Sequence, residues 1–197
     1  YLLPHVVRRL KRELPRIKLM LYEHQTAPLL EKLRAGEIDM GILALPVPLD
    51  GLEAEPLYDE AFTLAVPAGH RLADHERVRV EDLKGETLLL LEDGHCLRDQ
   101  ALEVCSRIRV QEEQDYRATS LETLRQMVAA GHGVTLMPQL AAESPVGGAR
   151  GMRTKTFVRP VPTRTIGAVW RKSTTRTQAI AATANTIRAA MKEESKR

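Results

Sequence analysis

Short apolar runs and helix-length segments alternate along this chain, each closed by proline or glycine, and that alternation is what most limits the folds open to it. Ile17-Lys18-Leu19-Met20-Leu21-Tyr22-Glu23 reads as a strand. A helix follows over Pro28–Ala35, with Leu29, Leu30 and Leu33 apolar and Gly36 placed as its C-cap, where glycine adopts the left-handed conformation without steric cost. Ile38–Leu45 is a second buried strand, bounded by Pro46 and Pro48. Strand, helix and strand at this spacing predict parallel βαβ units.

The rest of the chain repeats the theme. Before the first strand, Leu3, Val6, Val7, Leu10 and Leu14 recur at helical spacing, with Arg8, Arg9, Lys11 and Arg12 on a solvated face and Pro15 as the stop. Ala61–Pro67, Thr87–Leu91, Val134–Met137 and Arg164–Trp170 read as strands. Leu97–Cys105 reads as a short helix, Leu121–Ala130 as a helix with Ser120 as N-cap and Gly131 as its close, and Thr175–Lys192 as a terminal helix. Residues 143–155, with Gly147, Gly148 and Gly151, are the most loop-like stretch, and Gly131-His132-Gly133 reads as a tight connection. So many strands exceed one short sheet. Two α/β lobes with a cleft are the natural reading, since open parallel sheets bind ligands at the carboxyl ends of their strands.

Charge narrows the function less than it narrows the fold. The chain carries 29 basic against 26 acidic residues in 197, a net +3 too small to mark a nucleic-acid binder. No zinc-finger spacing, RNP-like motif or helix-turn-helix is present, so DNA contact is not expected of this stretch itself. No apolar run approaches the roughly 20 residues of a membrane-spanning helix, and no membrane partner is expected. The chain opens on Tyr1 with no Met and no basic leader, which reads as part of a longer protein without a secretion signal. Two cysteines in such a chain point to a reducing, cytoplasmic compartment, where a disulfide is transient.

Both cysteines fall in one stretch, Glu92-Asp93-Gly94-His95-Cys96-Leu97-Arg98-Asp99-Gln100-Ala101-Leu102-Glu103-Val104-Cys105. Cys96 follows a strand and a glycine-containing turn and opens a helix, where backbone amides and the helix dipole favour a thiolate. His95 and Arg98 add to that effect while Glu92, Asp93 and Asp99 oppose it, so the net shift stays open. Cys105, beside Leu102 and Val104, reads as a packed residue. Several plainer readings stand beside a redox one. Free cysteines often serve as small buried hydrophobes. Cys96, Cys105 and His95 would supply three soft metal ligands, although no structural-zinc pattern has this spacing. A cysteine nucleophile would need a base, for which His24, His70, His75 and His132 are the candidates, each equally a surface or loop histidine. Thr26 is either an N-cap or a cleft-lining hydroxyl.

Three stretches carry a resemblance. LLLEDGHCLRDQALEVC (Leu89–Cys105) resembles the redox-active segment of the peroxide-sensing LysR-type transcriptional regulators. RATSLETLRQMVAAGHGVTLMP (Arg117–Pro138) is similar to the helix-and-strand signature of that family's effector domain, and Leu2–Leu45 is similar to its first lobe. Together they cover nearly the whole chain, with 142–162 only loosely matched. The resemblance implies a two-lobed, periplasmic-binding-protein-like regulatory domain of α/β class, with mixed sheets and helices on both faces. Lobe I would comprise residues 1–60 and 166–197, and lobe II residues 61–165 with the cysteines. A DNA-binding winged helix-turn-helix would lie upstream of Tyr1.

The resemblance also implies site roles. Cys96 takes the peroxidatic position and Cys105 the resolving one; Thr26 falls on the peroxide-binding hydroxyl, His95 and Asp99 on polar neighbours of the sulfur, and Arg164 near a cleft arginine. SRIRVQEEQD, after Cys105, departs from the pattern. The implied function is a redox sensor, not an enzyme, in which hydrogen peroxide converts Cys96 to sulfenic acid and a disulfide with Cys105 changes transcription of oxidative-stress genes. The implied partners are hydrogen peroxide, further copies of the chain in a homodimer or tetramer, DNA, RNA polymerase and the glutaredoxin or thioredoxin reductants, with no cofactor and no metal. The alternatives are an effector domain of the same family that binds a small organic ligand, with incidental cysteines, and a thiol peroxidase.

Overall fold

The computed structural model describes residues 1–106, 108–144 and 150–194. In chain order its elements are α1 (Leu3–Glu13), α2 (Thr26–Ala35), β1 (Gly41–Leu45), β2 (Leu52–Pro67), β3 (Arg77–Val78), a 3-10 turn (Val80–Leu83), β4 (Thr87–Leu91) and α3 (Cys96–Cys105). They continue with β5 (Gln111–Ala118), α4 (Leu121–Ala129), β6 (Thr135–Pro138), α5 (Gln139–Glu143), β7 (Met152–Phe157), β8 (Thr163–Arg171) and α6 (Thr177–Glu194). The chain divides into two compact units, Tyr1–Asp59 with Arg164–Arg197, and Glu60–Thr163. None of the described helices is long and apolar enough to cross a membrane.

In the first unit β1 pairs antiparallel with β8, from Gly41 opposite Val169 to Leu45 opposite Thr165. Helix α1 buries Val6 and Leu10, and α6 buries Ile180, Ala184, Ile187 and Met191 at helical spacing. Ion pairs join these two helices at His5–Glu194 (3.1 Å) and Arg9–Glu193 (2.8 Å). Gly36 closes α2 at φ 75°, in the left-handed conformation expected of it.

Three expectations need correction. The strand expected over residues 17–23 does not form: the segment is irregular, and Met20 (63% exposed), Leu21 and Tyr22 (61% exposed) face solvent, because no strand among the described residues takes up its backbone groups. Its neighbour β1 is accordingly antiparallel to β8 and belongs to no parallel βαβ unit. The strand expected over Ala61–Pro67 begins nine residues earlier, since β2 runs over 16 residues from Leu52. The loop expected over 143–155 becomes strand β7 at Met152, held antiparallel to β2 from Thr63 opposite Thr156 to Pro67 opposite Met152. Gly147 and Gly148, also placed in that loop, lie outside the described residues.

The second unit contains the βαβ arrangement that the alternation predicts. Strand β4 (burial 0–5% exposed at Leu88, Leu89, Leu90 and Leu91) is apolar on both faces, as a central parallel strand must be. It pairs parallel with β5, and α3 is the crossover between them. On its other side Leu88 bridges Val134. The second half of β2 pairs antiparallel with β6, and β3 lies parallel to β7. One core holds this unit together, built from Phe62, Leu64, Val66, the leucines of β4, Leu124 and Val128 of α4, and Phe157. Ser120 caps α4, accepting from the Thr123 amide at 3.1 Å. The Gly131–Gly133 connection is tight: a Cβ at Gly133 would lie 2.5 Å from the Thr87 carbonyl oxygen.

A cysteine helix with one thiol out and one thiol in

Strand β4 delivers the chain to the site. After Leu91, a turn through Gly94 at φ 91° reverses the backbone, and His95, in extended conformation, becomes the N-cap of α3. Cys96 is the first residue of that helix and Cys105 the last. Leu97, Ala101 and Cys105 recur every fourth residue, so they share the face that packs into the core, with Leu102 and Val104 flanking it. Cys105 is 2% exposed; Cys96 is half-buried; both are free thiols.

The two sulfurs therefore meet different chemistry. Burial pushes the Cys105 thiol up to about 11, because the apolar surroundings disfavour the charged form. Cys96 stands where the first amides of α3 have no intrahelical acceptor, a position that favours an anion. His95 Nε2 lies 3.7 Å from Glu92. Asp99 is exposed on the first turn of α3, three residues beyond Cys96.

Arg98 is engaged by two carboxylates. Its Nε donates to Asp93 Oδ1 at 2.7 Å and its Nη2 to Glu112 Oε1 at 2.8 Å. Arg117 on β5 donates to Asp93 Oδ2 at 2.8 Å and approaches Glu112 Oε1 at 3.9 Å. The Arg98 and Arg117 guanidiniums hold the Asp93 carboxyl below its ordinary range. In the sequence Arg98 and Asp93 stand only as opposed influences on Cys96, and neither Glu112 nor Arg117 stands out. Their nearness follows from the parallel β4–β5 pairing, whose register shifts between Leu88 and Leu90, and no local pattern announces such a shift.

The other expected site residues belong to the first unit. Thr26 is the first residue of α2, half-buried, and the N-cap is Gln25 with no side-chain cap bond, which overturns the capping reading of Thr26. Arg164 is half-buried near the start of β8. Of the histidines considered as bases, His24 stacks on Tyr22, His70 Nε2 lies 3.0 Å from Glu86, and His75 and His132 are exposed. Among the described residues, no group of three or more His, Cys, Asp or Glu gathers to hold a metal ion.

Comparison with known proteins agrees with this architecture. The family model described as the LysR substrate binding domain matches residues 1–192. A hydrogen peroxide-inducible genes activator of Dickeya chrysanthemi is 46% identical over 172 residues, covering 87% of this chain and 56% of the relative. The crystal structure of the reduced form of OxyR superimposes with a TM-score of 0.86 at 43% identity, covering 97% of this chain and 89% of that one. The oxidised form of OxyR superimposes with a TM-score of 0.86 at 44% identity, covering 98% and 90%. The chain spans a little over half, 56%, of the length of the curated relatives it matches.

Proposed function

The chain belongs to the LysR substrate-binding-domain family and, within it, to the OxyR regulatory domains, and from that premise we propose that it is the peroxide-sensing part of a transcription activator of oxidative-stress genes. The single observation that supports this reading most is the placement of the two free thiols on α3, one half-exposed at its first residue and one buried at its last.

In the proposed reaction the Cys96 thiolate attacks one oxygen of hydrogen peroxide. The S–O bond forms as the weak O–O bond breaks, and hydroxide leaves, giving sulfenic acid. Cys105 then attacks the Cys96 sulfur; the S–S bond forms, the S–O bond breaks, and the departing hydroxide takes the Cys105 proton as water. Thr26 takes the role of the hydroxyl that binds peroxide, and His95, Asp99 and Arg164 are the polar groups that support charge as the O–O bond breaks. Thiol reductants of the glutaredoxin or thioredoxin type reset the switch by exchange. Because the sulfur reacts once per signal, the domain acts as a sensor and not as an enzyme.

The remaining roles rest on the relatives, which are longer than this chain. We propose from them that the whole regulator binds DNA, works as a dimer or tetramer in the cytoplasm, and acts on RNA polymerase. Mass spectrometry before and after one equivalent of peroxide tests the core of the reading. A loss of two hydrogens mapped to a Cys96–Cys105 crosslink is expected, and its absence removes the proposal.

A further inference from the structure

The four charges around the start of α3 have no part in the chemistry above, yet they enclose the segment that the chemistry must move. Asp93 lies before Cys96, and Glu112 lies after Cys105. Arg98, on the first turn of α3, is bonded to both, at 2.7 and 2.8 Å. Arg117 bonds Asp93 at 2.8 Å and closes the ring through a longer, 3.9 Å approach to Glu112. Resting on the function proposed above, we propose that this ring is an electrostatic latch on α3, with Glu112 as the positioning residue that sets how fast the Cys96 sulfenic acid closes onto Cys105.

The geometry separates the two carboxylates. Asp93 is 73% exposed, so water competes for its bonds, whereas Arg98 is 11% and Glu112 24% exposed. The Arg98–Glu112 pair is thus the better shielded half of the ring and the one that ties α3 to β5. Arg98 Nη1 is buried without a hydrogen-bond partner in the described structure, so the two carboxylates carry the side chain's bonding. A guanidinium held this way resists being pulled out with the first turn of a helix, because a partly buried charge that loses its partner is left uncompensated. Closing the disulfide requires α3 to give way: nine residues of helix set the two Cα atoms roughly 13 Å apart along the axis, a disulfide needs them within about 7 Å, and the latch opposes any route that carries the first turn with it. Formation of the sulfenic acid requires no such movement. The latch therefore acts on the second step and leaves the first alone, lengthening the life of the sulfenic acid.

Rapid-quench oxidation of the chain with hydrogen peroxide tests this. Sulfenic acid is trapped with a cyclic dione in the Cys105→Ser background, and disulfide closing is followed with both cysteines present. Glu112→Gln should speed closing by about tenfold, the scale of losing one charge-assisted hydrogen bond, with sulfenic acid formation unchanged. Glu112→Asp, which keeps the charge, should return closing toward the original rate. In the unsubstituted chain added salt should also accelerate closing, but by less than Glu112→Gln, because it screens mainly the exposed Asp93 half of the ring and reaches the Arg98–Glu112 pair only in part; this arm decides the matter if Glu112→Gln proves poorly folded. Unchanged closing in both Glu112→Gln and high salt overturns the latch, as does an equal change in both steps. Absence of any Cys96–Cys105 disulfide in the unsubstituted chain overturns the latch and the proposed function together, whereas a disulfide that closes at a rate indifferent to Glu112 and salt removes the latch alone.

Discussion

Cys96 and Cys105 are the first and last residues of the same helix and point to opposite environments, one half-buried and one 2% exposed. Nine residues of helix place them about half a turn out of phase and roughly 13 Å apart along the axis. A disulfide between them is incompatible with an intact α3. In the proposed function the helix and the crosslink are alternative states of one segment, which is what a two-state switch requires.

The difference in environment predicts a difference in reactivity. Sulfenic acid trapping in Cys105→Ser should label Cys96 readily, and the same treatment of Cys96→Ser should label Cys105 far more slowly. Comparable rates in the two variants contradict the assignment of the first reacting sulfur.

The raised Cys105 thiol has a consequence for stability. Its folded value of about 11 lies above the ordinary 9.0, so the folded state keeps the proton longer than the unfolded chain does. That contribution is fully present below pH 9, and is lost as pH rises through about 11. Chemical denaturation of the reduced chain across this window should show falling stability, and Cys105→Ala should flatten the slope. A slope unchanged in Cys105→Ala assigns the loss to other groups.

Thr26 begins α2 without capping it, so its hydroxyl is free for a role in rate. Thr26→Val should leave the melting temperature nearly unchanged and slow oxidation of Cys96 by about 10²-fold, the scale of losing one oriented donor. A destabilised variant that oxidises at the original rate would return Thr26 to a structural role.

Gly133 is expected to be intolerant. A methyl group there would meet the Thr87 carbonyl at 2.5 Å, and that carbonyl accepts the Val134 amide at 2.9 Å. Gly133→Ala should cost about 1–3 kcal/mol as the α4–β6 connection is pushed off β4. Thermal unfolding of the variant measures it, and an unchanged midpoint contradicts the close approach.

Much of the second unit was legible in the sequence because its signals are local. Four successive leucines bounded by a polar turn describe a buried parallel strand, the Leu97–Ala101–Cys105 spacing describes a helix face, and Ser120 with Gly131 marks the ends of α4. The resemblance at GHCLRDQ is what assigns the cysteines the roles proposed for them. What was missed depends on partners distant in sequence. Residues 17–23 have strand composition, yet a strand exists only through a neighbour. Leu52–Asp59 hides its pairing behind Pro56 and interspersed acids, and β7 is recruited by the edge of β2. The Asp93–Arg98–Glu112–Arg117 ring was invisible for the same reason: Asp93 and Arg117 are 24 residues apart and meet through a parallel pairing with a shifted register.

The central claim is that α3 is the element that oxidation rebuilds. Amide hydrogen exchange over residues 93–110, measured on the reduced chain and on the chain with its Cys96–Cys105 disulfide confirmed by mass, tests it most directly. The account predicts protected amides across α3 in the reduced form and a marked loss or redistribution of that protection in the oxidised form; the same protection in both forms, with the disulfide in place, would contradict it.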